Sequence, residues 1–340
     1  MVQRLDPIID RPPLSCAVAL YDFPMDEIGG LLDGPRARGA FLLRMVMEPP
    51  WSLHIRDEVP LAVVAVMRGE AFMAYADGRV VELHEGDMAI TVGVQDYVIS
   101  DVAGRPAEAV IWPQGRCTTP DGEPMPTNTF FGVRTWGNSA SGSTEVLVGN
   151  YLNTSTLGGR LLAGLPSLLV LSGFGFESPV LSMLTQEISK DRPGQEVVLD
   201  RLLDLLLVSA LRTWFDRPEA QVPGWYAAAA DPVVGPALRA MQAEPERSWT
   251  VASLAAQAKV SRAALARRFT ELVGEPPMTF LAGRRLAMAA DLLRDTDATL
   301  DTVARRVGYG SGFALSNAFK RVHGISPREH RAAPMAAAGA

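Results

Sequence analysis

The sequence predicts an α+β protein of two domains: an N-terminal β-barrel or sandwich with helices after it, then an all-α domain holding two helix-turn-helix units. Three observations predict this. Short apolar and β-branched runs cut by Gly, Asp and Pro fill residues 40–112. From about residue 160 the apolar spacing changes to three and four residues. Near the end, serines at 261 and 311, 50 positions apart, each precede an amphipathic helical segment after a short turn. A chain of 340 residues exceeds one ordinary core, which agrees with two domains.

The strand runs are Phe41–Met47, Leu61–Met67, Ala71–Tyr75, Arg79–Leu83, Met88–Val92, Tyr97–Val102 and Ala107–Trp112. Ala76-Asp77-Gly78 closes one hairpin and His84-Glu85-Gly86-Asp87 the next, because Asp and Gly supply the turn geometry. Residues 113–143, rich in Pro, Gly, Thr, Ser and Asn, read as a mobile loop that either closes over a ligand or, with less to explain, is simply disordered. Thr144–Leu152 is a further strand. Residues 1–176 thus form the first domain.

Leu161, Leu162, Leu165, Leu168 and Leu169 open a helical region, continued by Val180, Leu181, Leu184 and Ile188. Asp191-Arg192-Pro193-Gly194 breaks it, and a long helix follows from Glu196 to Phe215. Its apolar positions cover much of its circumference, so it is either buried in its own domain or pairs two protomers; 177–216 is the candidate dimerisation segment. Residues 217–232, with Pro218, Pro223, Gly224 and Pro232, read as a linker to a module at 233–334.

In that module the units fall at about 251–272 and 299–322. Thr250 caps the first helix, Ala258-Lys259-Val260 turn the chain, and Ser261 caps the second. Leu265, Phe269 and Leu272 share one face, with Arg262, Ala263, Ala266 and Arg267 opposite. That second face either reads DNA, the arginines reaching phosphates or guanine edges, or is a solvated basic face. Met278–Leu293 is a connecting helix, and then the pattern repeats: Leu300, Val303, Ala304 and Val307, a turn at Gly308 and Gly310, and Ser311 as cap. Leu315, Ala318, Phe319 and Val322 are expected inside, with Gly312, Phe313, Ser316, Asn317 and Lys320 outside. Asn317 suits adenine, Phe313 a thymine methyl, and Lys320 or Arg321 a phosphate.

Charge agrees with a double-stranded DNA partner. The chain carries −6 overall, but residues 233–334 hold 15 Lys+Arg against 9 Asp+Glu, a net of +6, and the remainder carries −12. Cys16 and Cys117 have neither disulfide nor metal-ligand spacing, and no apolar stretch has signal-peptide or membrane-span length. A cytoplasmic protein without membrane contact is expected, with a frayed tail from Ala332 onward.

Residues 233–331 resemble the DNA-binding domain of AraC/XylS-type transcription regulators, carried by Ala304, Val307-Gly308-Tyr309, Ala318-Phe319-Lys320-Arg321 and Ile325-Ser326-Pro327. The resemblance implies that Ala263, Ala266 and Arg267 hold the first set of reading positions and Gly312, Phe313, Ser316 and Asn317 the second. Asn317 stands where the family often has arginine, and Ala263 is small where some members carry a large side chain, so base preference does not transfer. Residues 14–216 more loosely resemble the cupin-type sensor half of a subgroup of these regulators.

Enzymatic cupins hold a metal with two closely spaced histidines, a carboxylate and a later histidine. Here the N-terminal histidines are His54 and His84, and Tyr97 stands near the later position, so neither metal nor cofactor is expected. A barrel can still hold a small effector, with Trp51, Phe72, Tyr75, Tyr97 and Trp112 as wall and Arg44 and Arg56 as polar anchors, unless these are simply core. The resulting expectation is a dimeric transcription regulator that contacts RNA polymerase if it activates. The alternative is a cupin-type metal-dependent oxygenase or isomerase with an appended DNA-binding domain.

Overall fold

A computed structural model describes residues 41–125, 130–132, 134–151, 165–217 and 224–332; statements of absence below refer to these residues. One sheet runs in the order β10 (Phe130–Gly132), β11 (Thr135–Gly137), β1 (Phe41–Met47), β12 (Thr144–Tyr151), β3 (Leu61–Arg68), β6 (Met88–Val92), β13 (Leu168–Leu171). The other runs β5 (Val80–His84), β4 (Glu70–Tyr75), β7 (Tyr97–Ser100), β2 (Ser52–Ile55), β8 (Ala109–Ile111), β9 (Cys117–Thr118). Their inner faces share one core, to which β3 gives Val64 and Val66, β4 Met73, and β7 Tyr97 and Ile99.

The period-2 alternation of β3 sends Val63 and Ala65 the other way, into a second core roofed by helices. Being covered on both sides explains why Leu61–Val66 is a continuous apolar run. The roof consists of α1 (Phe174–Glu177), α2 (Pro179–Ile188) and α3 (Gln195–Phe215). The Tyr151 hydroxyl donates to the Leu203 carbonyl at 2.8 Å and pins α3 to the sheet. A side chain at Gly149 would meet Leu203 Cδ1 at 2.7 Å, so glycine there lets the helix approach.

Three expectations need correction. Leu168 and Leu169 do not begin a helix but lie in β13, paired antiparallel with β6. The strand is apolar on both faces, and such a run does not carry the alternation that distinguishes strand from helix. Second, 113–143 is not simply a loop, since it contains β9, part of the edge at β10, and β11, which pairs parallel to β1 with Arg44 opposite Thr135. Third, the supposed linker contains a helix, α4 (Gly224–Ala229), whose Tyr226 ring lies 4.3 Å from that of Phe215. The four-residue strand β2 was not expected at all. Leu152, Leu161, Leu162, Cys16, linker residues 218–223 and tail residues 333–340 lie outside the described residues.

The C-terminal domain comprises α5 (Val234–Ala243), α6 (Val251–Gln257), α7 (Arg262–Val273), α8 (Pro277–Asp295), α9 (Leu300–Arg306), α10 (Gly312–His323) and α11 (Pro327–Ala332). It has two cores that share α8. Phe280 and Leu281 pack with Leu254, Leu265 and Phe269 of the first unit. Leu286, Ala289, Ala290 and Leu293 pack with Val303, Leu315 and Phe319 of the second. No described helix is long and apolar enough to cross a membrane.

Candidate nucleic-acid interface and barrel cavity

Local rules set the first unit. Thr250 and Ser253 form a reciprocal capping box at the start of α6. The turn places Lys259 at φ 56°, and Ser261 Oγ accepts from the Ala264 amide at 3.2 Å to start α7. Helix α7 stops at Gly274, whose φ of 84° is the left-handed geometry of a helix end. With Leu265 and Phe269 buried, Arg262, Ala263 and Arg267 are exposed and Ala266 is half-buried. Arg267 is 78 % exposed, with Glu271 at 3.7 Å.

Arg268, which the sequence did not single out, lies at the surface and bonds Asp231 Oδ2 at 2.9 and 3.0 Å. Asp231 also accepts from the Val233 and Val234 amides at 2.9 Å, and so ties the connector, α5 and α7 together. Burial pushes its carboxyl up, but these amides and the Arg268 guanidinium outweigh that and hold it below the ordinary range.

The second unit repeats the first with a difference. Gly308 has φ 83°, and a side chain there would also meet the Glu246 carbonyl at 2.6 Å, so both geometry and space require glycine. Ser311 Oγ accepts from the Ala314 amide at 3.2 Å, and Asp301 Oδ1 accepts from the Gly312 amide at 2.7 Å. Two acceptors, one of them charged, thus hold the N-terminus of α10.

This arrangement corrects two assignments. Gly312 does not face outward; it is buried, and a side chain on it would meet Asp301 Oδ1 at 2.8 Å. Val322 does not face inward but is 56 % exposed, because Leu315, Ala318 and Phe319 already fill the inner stripe. Phe313, Asn317, Lys320 and Arg321 are exposed, Ser316 is half-buried, and Ser311 serves as the cap. Phe313, at 77 % exposure, is an apolar side chain held in solvent on the same face as Asn317.

Between the sheets lies a cavity of about 370 Å³, with Leu53, Val64, Ile99 and Val148 among its apolar lining. Of the seven side chains proposed for it, only Tyr97 lines it. Arg44 makes a two-pronged pair with Glu145 at 2.6 and 2.9 Å that clamps β1 to β12. Trp51 is core and Tyr75 lies against Tyr97, 5.8 Å between centroids. Phe72 alternates with the buried Met73 and therefore points off the outer face. Arg56 pairs with Asp96 at 2.7 Å and sits over Trp112, whose indole donates to Thr118 at 2.9 Å.

Sequence reasoning missed the cavity's polar groups, Asp57 and Asn150, and its aromatic wall at Trp136. Asp57 follows the unrecognised β2, and Trp136 lay in the supposed loop, so neither had a strand to assign its direction. His54 lies 3.9 Å from Asp96, and His84 lies 3.2 Å from Glu82. Among the described residues, Glu70, Glu82 and His84 form the group of three able to share an ion, and all three are exposed on the outer surface.

A family model described as Cupin matches residues 26–216, and one described as a helix-turn-helix domain matches residues 254–333. The chain is 31 % identical over 318 residues to an AraC-like transcription regulator of Streptomyces antibioticus, covering 92 % of this chain and 100 % of that protein. It is 44 % identical over 154 residues to an AraC-like transcription regulator of Streptomyces lividans, covering 45 % of this chain and 51 % of that protein. Among solved structures, the DNA-binding domain of AdpA in complex with a target DNA is similar at 38 % identity and TM-score 0.29, covering 31 % of this chain and 93 % of that one.

Proposed function

We propose, from the premise that the chain belongs to the AraC-like DNA-binding transcription regulators, that α7 and α10 read successive stretches of the major groove while the barrel senses a small molecule. One observation carries this reading. Both helices start on a serine cap, end on a left-handed glycine, bury one stripe and leave the other free, with Arg267 on one and Asn317 on the other. Arg262, Lys320 and Arg321 supply phosphate contacts beside them.

The barrel serves as a sensor without catalysis, and its cavity takes the effector. Two protomers pair through the roof helices, where Val198 and Leu205 of α3 and Met183 of α2 are exposed apolar side chains. The effector shifts the balance between protomer arrangements by binding one of them more tightly, and an activating arrangement presents a surface to RNA polymerase.

Selecting bound sequences from a random duplex pool, then footprinting the winner, tests the DNA reading. Two protected segments per protomer about one helical turn, roughly 34 Å, apart are expected. A single segment, or a pool with no sequence enrichment, would overturn it. Sedimentation of wild type and Leu205→Glu tests the pairing: the wild type should be a dimer and the variant a monomer, and a monomeric wild type at micromolar concentration refutes it.

A further inference from the structure

On the reading that the barrel cavity holds the effector, we infer that the effector is an apolar molecule bearing a protonated amine, whose ammonium group sits on Asp57. The walls, Leu53, Val64, Ile99 and Val148 among them, offer a hydrocarbon body an apolar space of about 370 Å³. Among the described residues, two charged side chains reach this space, Asp57 and Arg116. Arg116 is exposed, with its guanidinium 5.1 Å from the Trp112 ring centroid, so water and an aromatic face already serve it.

Among the described residues, Asp57 has no such cover. Its donors are neutral, the Val59 amide at 3.3 Å and Asn150 Nδ2 at 2.9 Å. The neighbouring cation Arg56 is turned to Asp96 at 2.7 Å, and Asp96 acts on Asp57 with the same sign. The Val59 amide takes Oδ1 and Asn150 takes Oδ2; an asparagine keeps the first oxygen, and its amide can donate to the buried, unpartnered Oδ1 of Asn150 once that side chain turns over, so the negative charge itself goes unused among these bonds. Burial lifts the Asp57 carboxyl above its usual range, so ionising it weakens the fold. An ammonium group from a ligand answers that charge in a cavity that Tyr97 also lines. A carboxylate ligand in the same place meets repulsion instead.

The test is calorimetric titration of the full chain at neutral pH with 4-phenylbutylamine, 4-phenylbutan-1-ol and 4-phenylbutyrate, in wild type, Asp57→Asn, Arg116→Gln and the cavity-filling Val148→Phe. The amine should bind wild type at least about tenfold tighter than the alcohol, the scale of one charge-assisted hydrogen bond. That preference should vanish in Asp57→Asn, persist in Arg116→Gln, and all binding should weaken in Val148→Phe. Without ligand, Asp57→Asn should melt at or above the wild type at pH 7; a much lower melting point would make the carboxylate a structural tie and overturn the inference. Equal binding of all three probes, or tighter binding of 4-phenylbutyrate lost in Arg116→Gln, would overturn the amine while keeping the effector cavity. No binding by any probe would bring down both.

Discussion

Replacing Arg267 with alanine isolates one contact of the first reading helix. The side chain is 78 % exposed and its ionic neighbour among the described residues is Glu271, 3.7 Å away on the next turn of α7. An exposed pair at that spacing contributes about 0.3 to 0.5 kcal/mol, whereas a two-pronged arginine–guanine contact discriminates by about 1 to 3 kcal/mol. DNA therefore wins the side chain from Glu271 with most of the contact energy left. At 1.4 kcal/mol per factor of ten, Arg267→Ala should weaken binding to the preferred duplex by about 5- to 140-fold. Folding is a separate matter, since removing so exposed a group changes stability by no more than about 0.5 kcal/mol. Fluorescence anisotropy against the selected duplex and each of its single-base-pair variants, at fixed salt, reads the effect. Expected is a loss on the preferred sequence together with one position at which the four base pairs become equivalent. The same loss on every sequence, with a shallower salt dependence, would make Arg267 a phosphate contact and refute the assignment.

Lys320→Ala should lower the slope of log affinity against log salt by about one without changing sequence preference, and an unchanged slope removes Lys320 from the phosphate contacts. Asp301→Ala leaves the buried Gly312 amide, now bonded at 2.7 Å, without its charged acceptor, and should cost about 1.5 to 3 kcal/mol by urea denaturation. Asp301→Asn, which keeps an acceptor, should cost less; equal midpoints for wild type and Asp301→Ala would show that Ser311 alone holds the helix. Because the folded protein holds the Asp231 carboxyl below its ordinary range, its ionised form adds stability above the unfolded-chain value, near 4, and that stability is lost as pH falls through the lower folded value. Between pH 6 and pH 3 the wild type should therefore lose more stability than Asp231→Asn, and parallel pH profiles would refute the role given to the Asp231–Arg268 pair.

The DNA-binding half was legible because its determinants act over three or four residues. A serine three positions before the amide it caps, a glycine at a tight turn and an apolar stripe at helical spacing can all be read along the chain, and Ser261, Ser311 and Gly308 behave accordingly. The misplacements, Gly312 and Val322, sit at the two ends of α10. Facing residues there depend on a neighbour: Asp301 of the preceding helix claims the backbone of Gly312, and the core of the second unit is full before it reaches Val322. Helical periodicity assigns a direction to each residue, but not whether another element stands there.

The barrel was legible in its outline and opaque in its interior for the converse reason. Hairpins at Gly78 and Gly86 are local, with Asp77 and Asp87 bonding the backbone of their own turns, so the strand count from 61 to 92 follows from the sequence. Which side chains meet across the cavity depends instead on pairings between residues a hundred positions apart. Asn150 reaches Asp57 only because β12 runs antiparallel to β3, with Tyr151 opposite Leu61. Large aromatic and basic residues drew attention as ligand contacts, yet bulk is what a core selects, and Trp51 and Arg44 are spent on packing and on a clamp between strands. The informative residue was a small carboxylate with no cation to answer it among the described residues, a property that belongs to the folded arrangement rather than to its position in the chain.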